Sequence, residues 1–180
     1  MSASHVVPVP HSFGERLIGA ARLDIDTYEE VEADVRATKQ AALVVCLAAA
    51  AVAIGESRTG LIAVASGVFA ELLGWLLWSG ITYLIGAKAL HGTATWGELQ
   101  RTIGFAQGPG ILSLLRIVPF LDAPVLHVVR LWKLIAVIVA IRQALDVGTG
   151  RAIVTAALGF VAYVALAAGL MIVFGGSIAV

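Results

Sequence analysis

The stretch Gly60–Ala87, GLIAVASGVFAELLGWLLWSGITYLIGA, decides the fold class of this chain. It runs for 28 residues and contains one charged side chain, Glu71. A bilayer core about 30 Å thick is crossed by roughly 20 apolar residues, because each helical residue rises about 1.5 Å. As one helix the stretch would be about 42 Å long, so it must tilt, kink or protrude. The sequence therefore predicts an integral membrane protein.

Four more apolar stretches flank it, with short polar turns between them. They are 38–55, 102–121, 124–145 and 151–174. We therefore predict an all-α fold, a polytopic bundle of five transmembrane helices with short amphipathic N-terminal helices. Its parts are a cytoplasmic segment over residues 1–37, the five-helix domain over 38–175 and a short C-terminal tail over 176–180.

Composition points the same way. Hydrophobic residues make up 59% and charged residues 13% of the chain, whereas soluble domains have about 45–50% and about 25%. The net charge is zero, but seven of the twelve acidic residues lie between Glu15 and Asp34. Such an acidic segment argues against nucleic acid as a partner and against a polybasic clamp on anionic lipid.

Three capping patterns predict helix starts outside the spans, and one of them, Asp26 with Glu29, is expected to open a short acidic helix through Ala33. Ser12 with Glu15 begins a short helix, and Thr95 with Glu98 begins the helix that enters the 102–121 stretch, since each pair satisfies free backbone donors. The first helix carries Phe13 on an apolar side. It could lie flat on the membrane or pack against the protein, and the sequence leaves both open.

The basic residues predict the orientation. With five spans, eight basic residues fall on one side and two on the other. The eight are Arg16, Arg22, Arg36, Lys39, Lys88, Arg101, Arg142 and Arg151, and the two are Arg58 and Arg116. The positive-inside rule then predicts a multi-pass protein of the cell membrane with a cytoplasmic N-terminus and an external C-terminus.

Ionisable residues within the spans form a candidate intramembrane charge cluster: Glu71, His127, Arg130 and Lys133. An unpaired charge at the bilayer centre costs about 2.5–3.5 kcal/mol on insertion scales. We therefore hypothesise that Glu71 pairs with Arg130 or Lys133. The cluster could be a structural pair or long side chains that snorkel to an interface. It could also be a binding site for an anionic headgroup or solute, or a proton or ion path.

Small residues in the 102–121 stretch predict close helix packing and a kink. Gly104 and Gly108 are four residues apart, a spacing that lets another helix approach. Pro109, next to Gly110, removes a backbone donor and breaks the helix. In lipid, neighbouring helices must cover the freed carbonyl.

No motif supports catalysis or a bound metal. The chain has no Gly-x-Ser-x-Gly elbow, no His-Glu-x-x-His and no phosphate-binding glycine loop. The histidines lack a second ligand at metal spacing, and Cys46, the one cysteine, lies in an apolar run. We predict a protein that is not an enzyme and has no cofactor.

Several segments resemble bacterial members of the Ypt-interacting-protein (YIP) domain family, over roughly residues 14 to 175. They are 28–34 (YEEVEAD), 104–110 (GFAQGPG), 131–133 (LWK) and 144–146 (ALD). The resemblance implies five membrane helices and a cytoplasmic N-terminus. Eukaryotic members are linked to Rab-type GTPases and vesicle traffic, and carry an Asp-Leu-Tyr-Gly-Pro stretch before the first span. This chain lacks that stretch, which argues against GTPase binding.

The function predicted first is therefore a non-enzymatic role in membrane organisation, as a trafficking-like scaffold or a subunit of a membrane assembly. Its partners would be the lipid bilayer and a membrane protein or a second copy of the chain. The alternative is binding or transport of a small ion or lipid headgroup by Glu71, Arg130 and Lys133. A lipid-modifying enzyme comes last.

Overall fold

A computed structural model describes residues 11–56 and 60–175, which contain helices and turns but no strand. The α-helices are α1 (Phe13–Ala21), α2 (Ile25–Ala33), α3 (Ala37–Gly55), α4 (Leu61–Tyr83), α5 (Trp96–Phe105), α6 (Asp122–Ala144) and α7 (Thr149–Gly175). A π-helix, Leu84–Ala89, continues α4, and 3₁₀ helices Gly108–Ile117 and Pro119–Leu121 precede α6. The all-α prediction is confirmed. The predicted tail 176–180 and residues 1–10 and 57–59 lie outside the described residues.

The caps predicted at Ser12 and Thr95 are confirmed, whereas the cap predicted at Asp26 is wrong, because α2 already begins at Ile25. The Ser12 backbone N–H donates to Glu15 Oε2 at 2.8 Å, and the Glu15 N–H donates to Ser12 Oγ at 3.4 Å. At the start of α5, the Thr95 N–H donates to Glu98 Oε2 at 2.8 Å, and the Glu98 N–H donates to Thr95 Oγ1 at 3.3 Å. Each capping box fixes the residue at which its helix begins through contacts within four residues.

Among the described residues, four helices are long and apolar enough to cross a membrane. They are Ala37–Gly55, Leu61–Ala89, Pro119–Ala144 and Thr149–Leu166. Helix α3 is the most buried of the four, because 44% of its most apolar 18-residue segment is buried in the structure. The same fraction for the helix that contains α4 is 6%. Most of the α4 surface therefore faces outward.

The 102–121 stretch does not form a fifth long helix. Helix α5 ends at Phe105, and the next helical residues, Gly108–Ile117, wind as a 3₁₀ helix with Pro109 in its first turn. Proline has no N–H to continue the α-helical ladder, and its ring clashes with the preceding turn. The predicted count of five long helices is therefore not met in the described ranges, although the stretch remains helical.

This broken stretch runs beside α3 and in the same direction. A Cβ built on Gly104 would lie 2.7 Å from Ala41 Cβ, and one on Gly110 would lie 3.0 Å from Ala48 Cβ. Real Cβ atoms hardly ever come that close, so the absent side chains permit this approach. Gly108 similarly faces Leu17 of α1.

Helices α1 and α2 pack on the bundle, against α5 and α6. Phe13 and Phe105 have ring centroids 6.5 Å apart. Tyr28 is fully buried, and the Trp132 indole donates to the Ala21 carbonyl at 2.7 Å. Of the two alternatives left open by the sequence, α1 therefore adopts the packed one.

A buried arginine joins these two helices to α3. The side chain of Arg16 is only 3% exposed, and it bonds Glu30 at 2.7 Å, Asp34 at 2.9 Å and Gln40 at 3.0 Å. Hydrogen bonds from Arg36 and Arg16 lower the pKa of the Asp34 carboxyl to about 2. This network was not predicted, because its members are 14 to 24 residues apart in sequence.

At one end of the bundle, polar contacts join α5 and the loop before it to α2 and to the α6–α7 turn. Arg101 Nε donates to the Val31 carbonyl at 3.0 Å, and Thr93 Oγ1 donates to Asp146 Oδ2 at 2.8 Å. Burial raises the pKa of the Glu32 carboxyl here to about 7, and neighbouring carboxylates add to the shift. We call this the α2 end.

At the opposite end of the bundle, Arg116 forms two ion pairs. It lies at the end of the long 3₁₀ helix, its side chain is 9% exposed, and it bonds Asp122 at 2.7 Å and Glu56 at 3.2 Å. These contacts join the ends of α3 and the 3₁₀ helix to the start of α6. We call this the Arg116 end.

Candidate functional site

Two charged residues from facing helices meet at the surface between α4 and α6, where Glu71 is exposed and Lys133 is half-buried. Lys133 Nζ of α6 lies 4.0 Å from Glu71 Oε1 of α4. Gly110 lies beside them, because a Cβ there would be 3.7 Å from Lys133 Cδ. The lysine stem therefore passes over the broken stretch to reach Glu71. Of the two partners hypothesised for Glu71, Lys133 is the one in contact.

Arg130 lies one helical turn before Lys133 on α6 and is exposed. Within residues 11–56 and 60–175 its guanidinium has no hydrogen bond or ion pair. It lines the same two cavities as Glu71 and Lys133. The hypothesised Glu71–Arg130 pair is not formed, so Arg130 presents an unpaired charge to these cavities.

His127 is set apart from the other three. Its Nδ1 lies 2.7 Å from the Ala123 carbonyl of its own helix. It does not line either cavity at the cluster. The structure thus brings together Glu71, Arg130 and Lys133, and leaves His127 outside.

Two cavities meet at Glu71, Arg130 and Lys133. The first, of about 250 Å³, lies between α3, α4, the 3₁₀ helix and α6. The second, of about 500 Å³, lies between α4, α6 and α7. The larger volume falls within the range of about 300–1,000 Å³ that is typical of ligand sites. We call the two cavities together the charged cleft.

The cleft changes character along its length. Towards the Arg116 end its walls include the polar side chains of Glu56, Ser113 and Arg116. Away from that end they are mostly aromatic and aliphatic, including Trp78 and Phe160. Glu71, Arg130 and Lys133, which we call the charged cluster, lie where the polar part of the cleft meets the apolar part.

Sequence reasoning missed the polar end of the cleft. The sequence places Arg116 among the basic residues outside the bilayer, whereas its side chain is only 9% exposed and lines the smaller cavity. A charge within an apolar stretch is expensive in lipid and is a signal of function. That signal had been applied to Glu71 but not to Arg116.

The charges of the cleft are largely paired. Arg116 bonds Glu56 and Asp122, and Lys133 lies near Glu71, so Arg130 is the basic side chain at the cleft without a partner among the described residues. No group of three or more His, Cys, Asp or Glu side chains in the described ranges could hold a metal ion. A basic side chain without a partner beside apolar walls can attract a negative group.

A family model for the Yip1 domain matches residues 27–170, which is 144 of the 180 residues. The chain belongs to the Yip1 domain family. This is the family that the sequence resembles, and its members are non-enzymatic membrane proteins. The Yip1 match begins within α2 and includes every residue of the charged cluster. No curated protein and no solved structure matches the chain.

Proposed function

We propose that this Yip1 domain protein is a non-enzymatic multi-pass membrane protein that binds an anionic group in the charged cleft. The group is a lipid headgroup or a small anionic solute, so this is the second of the three roles that the sequence suggested. The meeting of two cavities at Glu71, Arg130 and Lys133 carries the proposal. Arg130 lines both cavities and has no partner among the described residues, and a charged side chain within a membrane span is costly unless it is paired.

A role as a membrane-organising scaffold or assembly subunit is the second candidate. The exposed face of α4 favours this role, because only 6% of the most apolar 18-residue segment of this helix is buried. Phe69 is 63% exposed on that face. A helix of a partner protein or of a second copy could pack there. Binding a headgroup in the cleft is compatible with that role.

The proposed topology has five crossings. The 102–121 stretch supplies the third in two pieces, since Gly104 and Gly110 follow Ala41 and Ala48 along α3. The predicted sides then follow from the basic residues. The α2 end, the short N-terminal helices and the N-terminus face the cytoplasm, while the Arg116 end and the C-terminus face outward across the cell membrane.

Anion binding is tested by thermal unfolding of the purified protein in a neutral detergent. Phosphatidylglycerol or inorganic phosphate should raise the unfolding temperature, because a ligand that binds only the folded state stabilises it, by about 2.7 kcal/mol at 100 times Kd. The Arg130→Gln/Lys133→Gln variant should lose this shift. Glu71→Gln should enlarge it, since it removes the competing carboxylate.

The matched control is Arg22→Gln/Lys39→Gln, which removes the same two charge types from exposed positions outside the cleft. It should keep the full shift. Anion binding in the cleft is refuted if no anion stabilises the wild type, or if both double variants lose the shift equally. Phosphatidylcholine, which carries no net charge, should have little effect.

A further inference from the structure

We propose that the anion is the headgroup of a membrane phospholipid, whose acyl chain occupies the apolar part of the charged cleft. This inference rests on the proposed anion site and names the class of ligand. The site would therefore take an anionic amphiphile with its headgroup towards the Arg116 end.

The order of residues along α6 supports this orientation. Val129 lines only the polar cavity, Arg130 and Lys133 line both, and Val137 and Ile138 line only the apolar cavity. The α6 lining is charged at Arg130 and Lys133 and apolar beyond them, and the polar walls nearer the Arg116 end are Glu56, Ser113 and Arg116 of neighbouring elements. A phospholipid has the same order, from charged headgroup to hydrocarbon chain.

Helix α4 shows the same change from a charged to an apolar lining on the opposite wall. Gly67 lines the polar cavity, Glu71 lines both, and Trp75 and Trp78 line the apolar cavity. Because α4 and α6 agree, this change belongs to the cleft and not to one helix. A small inorganic anion would need only the charged cluster and would leave the apolar cavity without an occupant.

The apolar cavity is walled by side chains that also face outward. Leu134 is 55% exposed, Ile153 is 47% exposed and Phe160 is 57% exposed. In the membrane, these side chains contact lipid. The cavity thus adjoins the hydrocarbon phase, from which an acyl chain can enter sideways while the headgroup stays near Arg130.

Arg130 and Glu71 lie nearer to the first residues of their helices than to the last. Arg130 is eight residues from the start of α6, which is about 12 Å along the helix. Glu71 is ten residues from the start of α4, or about 15 Å. In the proposed topology both helices meet the outer surface there, so the lipid would belong to the outer leaflet.

The test measures the apparent Kd of tail-less glycerol phosphate, dioctanoyl-phosphatidylglycerol and dioleoyl-phosphatidylglycerol by native mass spectrometry and thermal shift. For the wild type, affinity should rise with chain length, by about tenfold or more from glycerol phosphate to the dioleoyl lipid. Ala157→Phe, which fills the apolar cavity, should weaken binding of the dioleoyl lipid by about tenfold.

The matched control is Ala165→Phe, an exposed alanine of α7 that lines neither cavity. It should change the Kd less than about twofold. Should Ala157→Phe fail to fold, the chain-length series measured on the wild type and on Arg130→Gln/Lys133→Gln still decides the question.

Three results would overturn the inference. Equal affinity for glycerol phosphate and the dioleoyl lipid would mean a solute site, and the proposed anion binding would stand. If neither Arg130→Gln/Lys133→Gln nor Ala157→Phe changes the apparent Kd for the lipid, the lipid is bound only around the protein. Both proposals would then fail. Both proposals also fail if none of the three probes binds the wild-type protein.

Discussion

Replacing Arg16 with methionine is expected to lower the free energy of unfolding by about 2–3 kcal/mol. The Arg16 side chain is 3% exposed, and its partners Glu30 and Asp34 are only 23% and 17% exposed. Methionine keeps most of the stem but leaves both carboxylates without this partner. Equilibrium unfolding in mixed detergent micelles measures the loss.

Arg22→Met is the matched control, because Arg22 is an exposed arginine at the end of the same helix. It should change stability by less than about 0.5 kcal/mol. Neutralising the carboxylates in the Arg16→Met background, with Glu30→Gln and Asp34→Asn, should recover part of the loss. Equal losses in Arg16→Met and Arg22→Met would show that the network does not stabilise the fold.

The same network predicts how stability depends on pH. The folded-state pKa of Asp34 is lowered from 3.8 to about 2, first by Arg36 and then by Arg16. A lowered carboxyl pKa gives stability that is fully present above 3.8 and is lost as pH falls through about 2. Arg16→Met should therefore lose less stability than the wild type in that window.

The second large effect is expected from Gly104→Ala, which should destabilise the bundle by about 1–2 kcal/mol net. In an exposed helix this change stabilises by up to about 1 kcal/mol, because glycine is the poorer helix former. Here the new Cβ would lie 2.7 Å from Ala41 Cβ and 3.3 Å from its backbone. Overpacking therefore reverses the sign, which thermal unfolding in detergent would show.

Two variants make this test specific. Gly14→Ala in α1 meets nothing within 4 Å, so it should be neutral or stabilising. Ala41→Gly removes the methyl group that clashes and should restore part of the stability of Gly104→Ala, although it weakens α3 when made alone. If Gly104→Ala were as well tolerated as Gly14→Ala, the close approach of α3 and α5 would be wrong.

The features that the sequence predicted are those set by local chemistry. Ser12 with Glu15, and Thr95 with Glu98, mark helix starts because each pair acts over three residues. The long apolar stretches predicted the membrane-crossing helices for a similar reason, since length and hydropathy are properties of a single segment.

The features that the sequence could not predict depend on how distant segments meet. Glu71 could have paired with either basic residue of α6, and only the bundle places Lys133 at 4.0 Å. Pro109 predicted a break, but the 3₁₀ form of the residues that follow reflects packing against α3 and α6. The cavities likewise arise between helices and have no signal in any one of them.

The central claim is that the broken 102–121 stretch crosses the membrane as the third of five spans. A membrane-impermeant maleimide tests it, after Cys46→Ala removes the one native cysteine. Single cysteines are placed by Gly14→Cys, Phe120→Cys and Gly148→Cys in right-side-out and inverted vesicles. Five crossings predict that positions 14 and 148 react from the inside and position 120 from the outside. If position 148 reacts from the side opposite to position 14, the stretch does not cross and the claim is wrong.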